Sequence, residues 1–126
     1  MVIDASSLAK YILRERNWKS VRNYLLEESF SLNLALAEVS NAIWKHIVLY
    51  DKILREQADK MFKALEKLTE VVIFESFEKY LDNSVKIALN SGITVYDALY
   101  MAQAEKIGKT SHERRKAEKS CGEIRY

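Results

Sequence analysis

Short apolar runs alternate with longer segments of helical period along this chain, and no proline interrupts either. Strands that return through helical crossovers produce that pattern, and they assemble as a parallel sheet covered by helices. Met1-Val2-Ile3 is a first candidate strand ending at Asp4, after which Ser6 or Ser7 offers an N-cap for a helix through about Arg14. Asn17 can cap a second helix that carries Trp18, Val21, Tyr24 and Leu25 on one face. Phe30 to Leu34 alternates apolar and polar residues like a short second strand. Apolar residues then recur at helical spacing from Ala35 to Tyr50 and from Ile53 to Leu68, giving a helical hairpin broken near Asp51. The β-branched run Val71-Val72-Ile73-Phe74 predicts a third, buried strand, and Phe77 to Leu89 returns to helical period before Gly92 stops it. Thr94 with Asp97 three residues on resembles a capping box and predicts a helix through about Ile107, ending at Gly108. A charged helical segment follows, and then Glu123 to Tyr126. The expectation is an α/β fold, a three-layer arrangement with a short central parallel sheet flanked by helices, over residues 1–126 as one domain.

Charge narrows the function less than the pattern narrows the fold. Twenty Lys and Arg against 18 Asp and Glu leave a net +2, too small to mark a dedicated nucleic-acid binder, although residues 105–126 carry 7 basic against 4 acidic side chains. At 126 residues and 48% hydrophobic the chain can bury a core without a disulfide or structural metal. The single Cys121 cannot pair within the chain and has no zinc-type companions, which fits a reducing compartment. No uncharged stretch approaches the roughly 18 residues that span a bilayer, and the expected location is cytoplasmic.

Three acids stand apart from the mixed-charge surface segments. Asp4 is the only charged residue among positions 1–9, Glu38 the only one from Ser29 to Trp44, and Asp97 the only one from Ile87 to Ala104. An ionised carboxylate in apolar surroundings needs a partner, a hydrogen bond or a metal, and these segments supply no Lys or Arg. Mg²⁺ and Mn²⁺ take hard oxygen ligands of this kind, with waters and substrate phosphate completing the shell. Asp4 follows a strand, where ligands bind in open α/β sheets, and Asp97 lies in a first helical turn. Plain structural roles compete at each position: Asp4 as a helix cap, Asp97 as the second half of the Thr94 box, and Glu38 as an acid near a helix N-terminus.

At these residues the sequence resembles the PIN domain, specifically the small VapC-type toxin ribonucleases of bacteria and archaea. The matching segments are Val2-Ile3-Asp4-Ala5-Ser6, Ala37-Glu38-Val39-Ser40-Asn41-Ala42-Ile43 and Thr94-Val95-Tyr96-Asp97-Ala98-Leu99-Tyr100-Met101-Ala102, in the family's order and spacing. A haloacid-dehalogenase-like phosphatase would want a second Asp where Ser6 stands. The resemblance implies metal-dependent hydrolysis of RNA to 5′-phosphate and 3′-hydroxyl ends, with Asp4, Glu38 and Asp97 as catalytic residues and ligands of Mg²⁺ or Mn²⁺. It implies supporting roles for Ser6 and Asn41, a homodimer, and control by a cognate VapB-type antitoxin. The family usually adds an apolar strand and a fourth Asp after the third motif. Here the text reads Ile107-Gly108-Lys109-Thr110-Ser111-His112-Glu113. His112 replaces that Asp, the last strand is expected to be shortened or lost, and Ser111, His112 and Glu113 are imperfect substitutes that could weaken activity. The alternative is a degenerate PIN module that binds RNA or a protein partner without cutting. A nonenzymatic helical interaction domain is the third reading.

Lys10, Arg14, Arg16, Lys45 and the run Arg114-Arg115-Lys116 are candidates for phosphate contact, set against an ordinary solvated face. Trp18, Trp44, Tyr96 and Tyr100 could stack on bases, but aromatics at helical spacing more often pack, and no stacking role is assigned. His46 reads as a surface residue, and Ile47, Leu49, Tyr50 and Phe62 as either core or a face for a partner.

Overall fold

A computed structural model of the chain describes the backbone of residues 1–124 and the side chains of residues 1–109. The elements in order are α1 (Ala5–Ile12), α2 (Trp18–Leu25), β1 (Phe30–Leu32), α3 (Leu34–Val48), α4 (Arg55–Val71), β2 (Ile73–Glu75), a 3-10 turn (Phe77–Tyr80), α5 (Leu81–Ser91) and α6 (Val95–Ile124). The fold is the expected α/β type, mostly helical around a short parallel sheet. β1 and β2 pair in parallel with Phe30 opposite Ile73, Ser31 opposite Phe74 and Leu32 opposite Glu75. The predicted first strand shrinks to a single parallel bridge between Val2 and Phe30. Two hydrogen bonds of 2.8 Å hold it, from Ile3 N to Phe30 O and from Phe30 N to Met1 O.

Helical faces supply the core. Ala5, Leu8 and Ile12 of α1, Ala35, Val39 and Ile43 of α3, Leu65 and Leu68 of α4, and Leu99 and Ala102 of α6 pack around Leu32 and Val72. Their spacing of three and four residues puts each set on one side of its helix, so burial follows directly from the sequence period. The carboxyl end of the N-terminal segment runs straight into α1, and β1 is followed within two residues by α3. Both helices therefore start at the same edge of the sheet, and that edge carries the acids.

Several boundaries differ from the sequence reading. Asn17 does not cap α2 with its side chain; it enters the helix from a left-handed backbone, φ 70°. The third strand begins two residues later than expected because Val71 closes α4. The segment from Phe77 opens as a 3-10 turn, pinned where the Asn33 side-chain oxygen accepts from Phe77 N–H at 3.1 Å. Gly92 does end α5, in the left-handed conformation at φ 67°. Gly108 does not end α6, which continues as helix to Ile124 where the family would form its last strand. The side chains of Ser111, His112 and Glu113, the Arg114-Arg115-Lys116 run and Cys121 lie outside the described residues.

The turn after α1 is locally strained. α1 ends in a Schellman arrangement, with Glu15 N–H bonded to Lys10 O at 3.0 Å and Arg14 N–H reaching Tyr11 O at 3.4 Å. The left-handed position of that motif normally holds glycine, yet Arg14 occupies it at φ 55°. A residue with a Cβ costs about 1–2 kcal/mol there.

Candidate active site

Asp4 sits on the extended backbone just before α1 and accepts the N–H of Ser7 at 2.9 Å. It is thus a helix cap, but one oxygen satisfies that role and the carboxylate still lines an open cleft of about 360 Å³. The same cleft holds Asp97, Tyr100 and Ser7. Ser6 is exposed, and it is Ser7 that borders the cleft. The Thr94 box is made in one direction, with Asp97 N–H donating to Thr94 Oγ1 at 3.2 Å. The backbone of Asp97 serves the helix while its carboxylate faces the cleft.

Glu38 lies one turn into α3 and lines an adjoining cleft of about 500 Å³ with Asn41 and Tyr96. Its spacing of three from Asn41 puts both on one face. Glu38 is half-buried, and its Oε1 is sealed from solvent with no hydrogen-bond partner. Burial raises its pKa above the ordinary carboxylate value, and the negative charges of Asp4 and Asp97 raise it further. Residues distant in sequence on the N-terminal segment, α3 and α6 therefore share one electrostatic site. Among the described residues no three Asp, Glu, His or Cys side chains stand close enough to enclose an ion. The acids repel one another without sharing a ligand sphere.

Sequence reasoning weighed Tyr100 only for base stacking and gave it no role. It is buried, its hydroxyl has no hydrogen-bond partner among the described residues, and it borders the Asp4–Asp97 cleft. Burial is the chief reason its hydroxyl is held protonated far above the usual tyrosine range. The charges of Glu38, Asp4 and Asp97 act the same way, against a weaker opposing pull from the Ala5 backbone N–H. The signal was its position three residues after Asp97, on the same helical face.

The remaining predictions separate. His46 is half-buried rather than a surface residue. Its Nδ1 bonds Ala42 O at 2.8 Å, its Nε2 lies 3.5 Å from Glu15 Oε1, and its ring meets Tyr50 edge-on at 5.3 Å. Ile47 packs against the core, whereas Leu49 and Tyr50 are more than half exposed. Among the described residues no helix is long and apolar enough to cross a membrane.

Three acids brought to the carboxyl edge of a short parallel sheet, inside helices of this order, define the class: residues 1–110 match the PIN domain family, and the chain belongs to it. Ribonuclease VapC3 of Pyrobaculum aerophilum is 38% identical over 111 residues, covering 86% of this chain and 83% of that protein. The chain is accordingly a VapC-type PIN protein. The family match stops at residue 110, where the sequence departs from the expected strand and α6 runs on.

Proposed function

We propose that this chain is a metal-dependent endoribonuclease of the VapC toxin type, hydrolysing RNA phosphodiester bonds to 5′-phosphate and 3′-hydroxyl ends under the control of a cognate VapB-type antitoxin. The observation that carries this reading is the unpartnered, buried oxygen of Glu38, set in the field of Asp4 and Asp97, in a chain similar to a named ribonuclease. Like charges held together with an orphan oxygen are an incomplete site, and hard oxygen donors of this type match Mg²⁺ or Mn²⁺. Asp4, Glu38 and Asp97 would hold the ion by drawing closer than they stand here, where no three described acids are grouped to enclose one. Bound there, it would supply an acidified water and offset charge on the phosphoryl oxygens.

The chain's own groups would do the rest. Asp4 keeps its orientation through Ser7 N–H, and Asp97 through the Thr94 cap on its backbone. Asn41 offers a neutral amide beside Glu38. A homodimer and a cytoplasmic location accompany this reading as expectations of the family.

The alternative, a degenerate PIN module that binds RNA or a protein partner without cleavage, draws on a different observation. The helix α6 continues where a strand and fourth Asp would stand, and no three described acids lie within reach of one ion. Cleavage of a labelled RNA pool in Mg²⁺ or Mn²⁺, against EDTA and beside Asp97→Asn, decides between them. Metal-dependent cutting lost in the variant supports the nuclease. Absence of cutting in both proteins selects the binding module.

A further inference from the structure

α1 and α3 run in the same direction. At their N-terminal ends Asp4 and Glu38 share a field, and at the other end Glu15, just past α1, meets His46 in the last turn of α3 at 3.5 Å. That second end opens a cleft of about 450 Å³ bordered by Arg14, Arg16, His46 and Lys52, with Glu15 the one acid among them. We infer that this cleft is a second RNA site, a subsite for backbone phosphates of the strand whose scissile bond lies at the acids. The inference rests on the nuclease reading for its orientation and on its own geometry for its chemistry.

Two independent observations point there. The first is charge: residues 10–22 hold five basic side chains, Lys10, Arg14, Arg16, Lys19 and Arg22, against the single Glu15, on a chain whose net charge is only +2. Among the described residues, Arg14, Arg16 and Lys52 form no ion pair with a carboxylate, while Glu15 faces His46. Positive side chains without acidic partners are the electrostatic footprint of a phosphate backbone.

The second is the strained Arg14. Its guanidinium lies 4.8 Å from the Tyr11 ring centre and 4.1 Å from that of Trp18. A residue held in left-handed backbone against its preference, with its cation fixed on two rings, is preorganised. Helix carbonyl ends alone would attract basic side chains, but they give no reason to prefer a strained arginine over glycine at φ 55°. A planar guanidinium fixed in advance can offer paired N–H donors to a phosphate with little further loss of freedom.

Distance fits the same strand. From Glu38 to His46 is eight residues of helix, about 12 Å at 1.5 Å per residue. At about 3.4 Å per stacked nucleotide that is at most three to four nucleotides, and fewer for an extended single strand. A dinucleotide would fill the acidic end alone, whereas a 12-nucleotide RNA would reach both.

The test compares wild type with Arg14→Gly/Arg16→Ala/Lys52→Ala. Arg14→Gly removes the cation while relieving the backbone, so the variant is expected to keep its fold, verified by an unchanged circular-dichroism spectrum. Binding of a labelled 12-nucleotide polyuridine RNA is measured in EDTA over a salt series, and cleavage of the same RNA and of a dinucleotide is measured in Mn²⁺. The expected result is at least a tenfold loss of affinity for the 12-mer and a salt slope shallower by about 2, from about 0.7 per phosphate contact on a single strand. Dinucleotide cleavage stays unchanged. Unchanged affinity and slope would overturn the inference, as would equal losses on both substrates. Polyglutamate binding that the variant loses while its RNA affinity holds would assign the cleft to an acidic protein segment, overturning it too. If wild type cuts neither substrate but the variant still loses RNA affinity, the nuclease reading fails and the phosphate subsite stands.

Discussion

The buried hydroxyl of Tyr100 and the buried Oε1 of Glu38 lie in one electrostatic site, and neither has a hydrogen-bond partner among the described residues. Unpaired buried polar atoms cost free energy, and two at one place mark a site organised for something other than its own stability.

Tyr100→Phe is expected to leave the metal-free protein as stable as wild type or more so, because it removes a hydroxyl that earlier had no partner. The burial penalty relieved is about 1–3 kcal/mol. If that hydroxyl instead orders water or a carboxylate during cleavage, turnover falls by up to about tenfold, the worth of one hydrogen bond. Thermal unfolding and kcat on a short RNA are measured side by side. A destabilised variant with unchanged kcat would assign Tyr100 to packing alone.

Glu38→Gln trades function against stability. The raised pKa of Glu38 means that its charged form is disfavoured in the folded protein, so the penalty is present above the folded pKa and disappears as pH falls through it. Removing the charge should stabilise the protein at neutral pH by less than about 1 kcal/mol after solvent screening, a rise in Tm of a few degrees at most. The gap to wild type should narrow on acidification. Cleavage should vanish at every pH. A variant with lower Tm at neutral pH would contradict the repulsive cluster.

How much of this was legible depended on the range of the interaction. The α1, α3 and α6 faces could be read because Leu8 with Ile12, Val39 with Ile43, and Ala98 with Ala102 repeat at the local helical period. The parallel sheet could be read, but not its length: Val2 is held by one bridge to Phe30, a pairing 28 residues away that periodicity does not encode. Gly108 failed as a stop because a glycine within a helix carries only a modest cost, and here the backbone continues through it. The three acids stood out because each breaks an apolar segment, which is a local signal. Arg14 and Arg16 could be read as phosphate candidates, but the cleft they form with His46 and Lys52 could not, nor the unsatisfied hydroxyl of Tyr100, since both exist only once distant segments have packed.

Cation binding can be read without activity. If Asp4, Glu38 and Asp97 hold Mn²⁺, added Mn²⁺ should stabilise wild type by mass action, by about 2.7 kcal/mol at one hundred times Kd. Asp97→Asn should lose most of that gain. The variant keeps its fold, because Thr94 Oγ1 accepts from the backbone N–H of residue 97 and not from its side chain. Calorimetric scans of both proteins across a Mn²⁺ series provide the check. Equal stabilisation would place the ion elsewhere.

The last prediction concerns how α6 is fastened to the sheet that carries the site. Gln103 is fully buried, and its Nε2 donates to Ser31 O at 2.7 Å and to Glu75 Oε1 at 3.1 Å, joining α6 to both strands. Glu75 also accepts from Lys79 Nζ and from the Tyr80 hydroxyl, each at 2.7 Å. Burial alone would raise the Glu75 pKa, but the donors Lys79, Gln103 and Tyr80 outweigh it and hold the carboxyl below its ordinary value of 4.5. A depressed carboxyl contributes stability that is fully present above the unfolded value and is lost as pH falls through the folded one. Unfolding midpoints in urea should therefore drop as pH falls below about 4.5, and Glu75→Gln should flatten that drop. Gln103→Leu should cost about 1–3 kcal/mol at pH 7, because it removes the amide that ties α6 to the Ser31 carbonyl and the Glu75 carboxylate. Since Asp97 and Tyr100 ride on the same helix, the Gln103 variant should also weaken Mn²⁺ stabilisation although residue 103 touches none of the three acids. A variant that lost stability but kept full Mn²⁺ response would show that the first turn of α6 is placed by its apolar packing at Ala98, Leu99 and Ala102 alone.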